Sequence, residues 1–196
     1  MTAFAPSFPV PLGGPLIAWE DAFSAAEVDR IEKLGDGLAR AKAQLVGTVD
    51  NPNRKRVTQV AWMDRGADTA WLYQRLEGMV GRMNSQFYKY ELYDALRERL
   101  QYTIYEGAEG GHYDWHVDHG AATPDPRKLS ISIQLSDPSS YEGCDLELSF
   151  GDGIKTAPRK RGTAIAFASY VLHRVTPIVS GTRKSLVVWV SGPEFR

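Results

Sequence analysis

Cysteine is nearly absent. The one thiol, Cys144, excludes an internal disulfide and agrees with a reducing compartment. An excess of charge is missing too: 23 Lys and Arg against 24 Asp and Glu leave a formal net charge of -1. That balance gives no electrostatic footprint for nucleic acid or an anionic membrane. No apolar run approaches membrane-spanning length, and no basic segment leads into an apolar one at the start. Internal repeats and low-complexity tracts are lacking as well, so the chain is not a repeat array. The expectation is a cytoplasmic protein with neither a membrane nor a nucleic-acid partner. Its oligomeric state is not readable.

What is present suffices for one domain. The 196 residues, 43% hydrophobic and 24% charged, can bury a real core. Four prolines before residue 16 predict an extended lead-in rather than a helix. A helix then starts with Ser24 as N-cap and Glu27 completing a capping box, while Phe23 staples onto Val28. Val28, Ile31, Leu34 and Leu38 follow at helical spacing. Residues 48–55 read as a loop and Val57 to Met63 as a strand. Asp68 is the expected N-cap of a second helix running to Phe87, with Leu72, Leu76, Met79, Val80, Met83 and Phe87 as a core stripe.

From Leu100 the period becomes two. Leu100, Tyr102 and Ile104 face one way, and Gln101, Thr103 and Tyr105 the other. Ser130, Ser132 and Gln134 alternate with Leu129, Ile131, Ile133 and Leu135, and Leu146, Leu148 and Phe150 with Asp145, Glu147 and Ser149. Further short strands cover Thr163–Ser169, Leu172–Thr176 and Arg183–Val190, separated by Gly- and Pro-bearing turns. The fold class is therefore α+β. A double-stranded β-helix, the cupin-like jelly roll, forms the core from 100 to 192, and residues 1–99 supply helical and β support in front.

One stretch carries chemistry. His116-x-Asp118 places an imidazole and a carboxylate on one face of a strand, with Val117 on the other. His173 arrives from a distant strand, and Arg183 follows on the last one. Two histidines and one carboxylate on one side of a metal, with positions left open, make the facial triad of non-haem Fe(II) oxygenases. Alone, His-x-Asp is weak evidence, His173 could be an ordinary core histidine, and Arg183 a solvated surface cation. The conjunction is what points to a metal. His119 is out of phase with the dyad and His112 sits at the start of its strand, so both read as outer groups. Lys184, on the opposite face from Arg183, reads as the solvated neighbour.

Flanking residues make the pattern specific. Tyr105-x-Gly107-x-x-Gly110 leads to Tyr113-x-x-His116-x-Asp118. Leu129-Ser130 and Leu135-Ser136-Asp137-Pro138-x-x-Tyr141-x-Gly143 follow, then His173-x-Val175-x-Pro177 and Arg183. This resembles the prolyl-4-hydroxylase-like branch of the Fe(II)/2-oxoglutarate dioxygenases, closest to bacterial PKHD-type hydroxylases, over Leu100 to Gly192. The resemblance implies that His116, Asp118 and His173 ligate iron and that Arg183 anchors the far carboxylate of 2-oxoglutarate. It puts Ser185 beside that carboxylate, Trp189 behind the iron, and Tyr105 and Gln134 along the co-substrate pocket; Tyr105 and Trp189 could equally be core aromatics. It implies Fe(II), 2-oxoglutarate and O₂ as cofactors, with ascorbate as an accessory reductant. The substrate would be a peptidyl residue, a free amino acid or a small metabolite.

The related halogenases lack the carboxylate, so Asp118 favours hydroxylation. Three departures stand out: a longer Tyr105-to-His116 gap, Cys144 where glycine is usual, and Gln134 where many relatives have an aromatic. The alternatives are a cupin-like isomerase or epimerase and a non-catalytic metal-binding module. A demethylase of nucleic acid would want a basic surface and a further Arg after Arg183. Residues 120–127 and 48–55 are candidate lids.

Overall fold

A computed structural model of the protein describes residues 7–43, 56–119, 125–151 and 153–194. The elements of the first half, in chain order, are β1 (Val10–Gly13), β2 (Leu16–Trp19), α1 (Ala25–Asp36), β3 (Ala41–Lys42), β4 (Arg56–Val57), β5 (Gln59–Met63) and α2 (Ala70–Met83). Next come β6 (Leu100–Glu106), β7 (His112–His116), β8 (Arg127–Gln134), β9 (Tyr141–Gly143) and β10 (Leu146–Ser149). The chain ends with β11 (Ile154–Thr156), β12 (Ala164–Ala168), β13 (Leu172–Val175) and β14 (Ile178–Ser191).

The larger sheet has the order β1-β2-β12-β8-β14-β6-β5-β3, with β9 also paired to β14, and the smaller one β11-β10-β13-β7-β4. Every pairing is antiparallel, which is the jelly roll's arrangement. The alternation read from the sequence decides which face of the larger sheet is which. Leu100, Tyr102, Ile104, Ile131, Ile133, Leu186 and Val188 form one apolar face, where Val28 and Ile31 of α1 and Leu72, Leu76, Met79 and Met83 of α2 cover them. The other face, turned toward the smaller sheet, carries Gln101, Thr103, Tyr105, Ser130, Ser132, Gln134, Arg183 and Ser185, all buried.

Helix α1 forms as its signals dictate. The Ser24 side chain accepts from the Glu27 N–H, and Glu27 accepts from the Ser24 N–H at 2.8 Å. The helix ends at Asp36, so Leu38 lies beyond it and is exposed. Helix α2 departs from expectation at both ends. Its N-cap is Thr69, not Asp68, and the Thr69 hydroxyl serves the preceding turn, donating to the Asp64 carbonyl at 2.6 Å. Past Met83 it widens into a π-helical turn over Asn84–Tyr88, so Phe87 belongs to that turn.

The strand expected over Val57 to Met63 is two. β4 joins the smaller sheet and β5 the larger, and Thr58 makes the corner, its hydroxyl donating to the Ile104 carbonyl at 2.7 Å. The first half thus supplies strands to both sheets as well as the covering helices. Strand β2, with all four residues buried, is one that alternation could not show, because it is apolar throughout. Among the described residues, no helix is long and apolar enough to cross a membrane. Residues 48–55 and 120–124, expected to be lids, lie outside the described residues.

Candidate metal centre

His116 and His173 are direct cross-strand partners of β7 and β13. That pairing sets their rings side by side, with centroids 4.1 Å apart. Each ring is oriented from behind: His116 Nδ1 lies 2.7 Å from the Asp114 carbonyl and His173 Nδ1 2.9 Å from the Val171 carbonyl. A carbonyl accepts only from N–H, so both rings are the Nδ1–H tautomer and both Nε2 lone pairs face forward.

Asp118 reaches the same point by a different route than expected. Strand β7 ends at His116, and Asp118 lies past it in a bend, its N–H donating to the Ser169 carbonyl at 2.9 Å. Its oxygens lie 3.8 Å from His116 Nε2 and 3.5 Å from His173 Nε2. The ligand atoms of all three residues fall within 4.8 Å of one another, the one such group of three or more metal-binding side chains among the described residues. Val117 between them points outward and is exposed.

The electrostatics suit a metal rather than protons. Burial, reinforced by neighbouring His173, pushes His116 down to about 3, so the ring is a neutral ligand across the physiological range. Burial alone would raise Asp118, but the two imidazoles outweigh it, and the Ser130 hydroxyl donates to Oδ2 at 2.7 Å, so the carboxyl stays below its ordinary range. Ser130 sits on the facing sheet and in turn contacts Ser169 Oγ at 3.0 Å. The Trp189 indole N–H, also on the facing sheet, helps at longer range; it is buried and makes no hydrogen bond.

Arg183 is the second feature. It is only 1% exposed, yet Nε and Nη1 have no hydrogen-bond partner, and no carboxylate pairs with it among the described residues. Its one side-chain bond runs from Nη2 to Gln134 Oε1 at 2.8 Å. A buried guanidinium with idle donors is costly unless a ligand completes it. Tyr105, its cross-strand partner, lies 5.7 Å below the cation, and burial pushes its phenol up to about 12 against the opposing fields of Arg56 and Arg183. Ser185 is buried beside Gln134 in register. Lys184 points the other way and pairs with Asp36 at 2.7 Å on α1.

Cys144 takes the left-handed backbone conformation, φ 57°, which glycine adopts freely, so it tolerates a turn that a glycine would make without strain. Its buried thiol is pushed up by desolvation, against the pull of Arg183. Gly181 has a firmer reason. A Cβ there would meet the Ser140 carbonyl at 2.1 Å, so only glycine lets β14 pass that turn and deliver Arg183.

Sequence reasoning missed the groups that brace the ligands. Tyr113 stacks flat on His116, with centroids 3.5 Å apart and planes 13° off parallel. Strict alternation puts residues three apart on opposite faces, but the β7–β13 register slips between His116 and Tyr113 and brings both inward. Phe167, on the inner face of β12, packs on His173 at 4.6 Å. Ser130 was legible as an inner-face residue but not as a partner of Asp118. His112 and His119 bond backbone carbonyls, of Gly110 and Arg127, through Nδ1 and stay outside the group of three.

The donor set fits a ferrous ion, being two imidazoles and one carboxylate, and Arg183 fits a dicarboxylate. A model of the 2OG-Fe(II) oxygenase superfamily matches residues 100–191. A PKHD-type hydroxylase of Synechococcus sp. (strain CC9902) is 37% identical over 97 residues, covering 49% of this chain and 44% of that one. One from Teredinibacter turnerae is 35% identical over 86 residues, or 41% and 38%. The chain thus spans less than half the length of these relatives. Among solved structures, a Pseudomonas putida prolyl-4-hydroxylase aligns over 92% of this chain and 94% of its own, with TM-score 0.71 and 18% identity. A Trichoplax adhaerens prolyl hydroxylase, in complex with a hypoxia inducible factor oxygen degradation domain peptide fragment, gives TM-score 0.73 and 19% identity over 91% and 84%. The structural likeness establishes the shared fold.

Proposed function

We propose that this chain, whose second half matches the 2OG-Fe(II) oxygenase superfamily and resembles its PKHD-type branch, is a 2-oxoglutarate-dependent hydroxylase. Its substrate is a peptidyl residue, an amino acid or a small metabolite, and it releases succinate and CO₂. The observation that carries this is Arg183, a buried cation with idle N–H groups on the same inner wall as the triad's support. A metal-dependent isomerase on the same scaffold has no use for it.

Each residue has a defined task. His116 and His173 present Nε2 donors fixed from behind by backbone carbonyls, and Asp118 adds the charge that makes the site prefer a dication. Ser130 fixes the rotation of the carboxylate, leaving Oδ1 free to ligate. Arg183, its Nη2 held by Gln134, would take the distal carboxylate of the co-substrate with N–H groups the protein leaves idle, with the Ser185 hydroxyl beside it. Trp189 and Phe167 keep bulk water from the ligands. When bound, Fe(II), 2-oxoglutarate and O₂ supply oxidative decarboxylation and insertion of one oxygen atom into a C–H bond.

The test is a screen of prolyl peptides, amino acids and metabolites with the iron-loaded protein, read as succinate and as a product heavier by one oxygen. Matched succinate and product, dependent on iron and on His116, support the reading. Product formed without 2-oxoglutarate consumption sinks it.

A further inference from the structure

Arginines in this chain are mostly matched. Arg127 pairs with Glu98, Arg174 with Glu147, and Arg161 with Asp29 and Glu32. Arg30 and Arg82 lie instead over aromatic rings on the helical side. Two others beside the metal centre have no carboxylate among the described residues: Arg183, and Arg56 on β4.

Arg56 is half-buried, and its Nε is fully buried without a hydrogen-bond partner. Strand β4 pairs with β7 so that Arg56 stands opposite Tyr113, and the guanidinium lies 4.5 Å over the Tyr113 ring. That ring in turn stacks at 3.5 Å on His116. Cation, phenol and metal-binding imidazole are therefore layered in one short stack on the smaller sheet. The charge of Arg56 also opposes the upward push of burial on the Tyr105 phenol of the facing sheet.

Charge balance gives the cation a purpose, on the reading that the site holds iron and 2-oxoglutarate. A ferrous ion with Asp118 leaves one positive charge, and dianionic co-substrate with Arg183 leaves one negative; these four cancel. Among the described residues Arg56 remains without a carboxylate partner, beside the candidate metal centre and in a partly desolvated place where such charges are expensive. We propose that Arg56 anchors the primary substrate by binding a carboxylate that the oxidised compound carries, so that the enzyme selects acids. The planar guanidinium, already lying flat on Tyr113, offers paired donors at its edge for bidentate capture.

The experiment uses the full chain loaded with Fe(II) and 2-oxoglutarate. A panel of amino acids and short peptides is offered in matched pairs: free acid against C-terminal amide, and Glu against Gln. Two readouts are followed, succinate release in air and thermal stabilisation under anaerobic conditions. Acids should exceed their amides by about tenfold or more, the worth of a charge-assisted bond. Arg56→Gln should erase that preference, and Arg56→Lys, which keeps the charge, should retain part of it. Neither should weaken iron binding or move the 2-oxoglutarate titration more than about twofold.

A panel in which acids do no better than amides, including one in which nothing binds, overturns the proposal. A tenfold weaker 2-oxoglutarate titration in Arg56→Gln would assign the cation to the co-substrate instead, and weaker iron binding would make it a brace for Tyr113. Either result also overturns it. If the wild-type protein shows no ferrous 2-oxoglutarate complex at all, the hydroxylase reading itself fails, a result distinct from any of these.

Discussion

Strand β14 shows two different surfaces to its two neighbours. Leu186 and Val188 on the outer face meet α1, α2 and the flanking strands, and the polar groups there, Lys184 and the Tyr102 hydroxyl, are both paired with Asp36. Arg183, Ser185 and Trp189 on the inner face are as deeply buried, yet Arg183 and Trp189 keep polar hydrogens with no partner. Burial is equal and completion is not. The outer face is finished by the chain itself, whereas the inner face leaves donors unused. Substitutions on the two faces should therefore fail in different currencies.

The largest effect should come from the ligands. His116→Ala or Asp118→Ala should abolish ferrous-ion binding in equilibrium dialysis while leaving the melting temperature of the metal-free protein within a few degrees. A variant that keeps full turnover would break the comparison. Arg183→Met comes next. Removing the cation should cost about 3 kcal/mol of 2-oxoglutarate binding, about a hundredfold in affinity, with iron binding intact. Because it also deletes an unpaired buried charge, the free protein should melt no lower.

Leu186→Ala, one position from Ser185 but on the outer face, should do the reverse. It should cost about 2–5 kcal/mol in urea unfolding and leave the co-substrate affinity of the folded fraction unchanged. Smallest is Ser24→Ala, which removes the α1 capping box far from the site; about 1 kcal/mol of stability and no change in binding are expected.

How much of this was legible depended on whether a feature is local. Two-residue alternation from Leu100 onward identified both faces of the larger sheet, because side chains on a regular strand have no choice of side. The α1 capping box was readable for the same reason, since its bonds span three residues. Where the chain breaks its own period, reading failed. Asp118 turns inward from a bend held by Ser169, Tyr113 joins His116 through a register slip, and Thr58 moves the chain from one sheet to the other. None of these has a local signature; each is fixed by a partner more than forty residues away. Arg56 was hidden in the same way, since only the β4–β7 pairing brings it to the metal centre.

The most direct test of the account is an anaerobic titration of the protein with Fe(II) and then 2-oxoglutarate, watched for the visible metal-to-ligand charge-transfer band. The account predicts a saturable band that needs both components. It should vanish in Asp118→Ala and require about a hundredfold more co-substrate in Arg183→Met. A band of unchanged strength and midpoint in Arg183→Met, or no band in the wild-type protein, would contradict it.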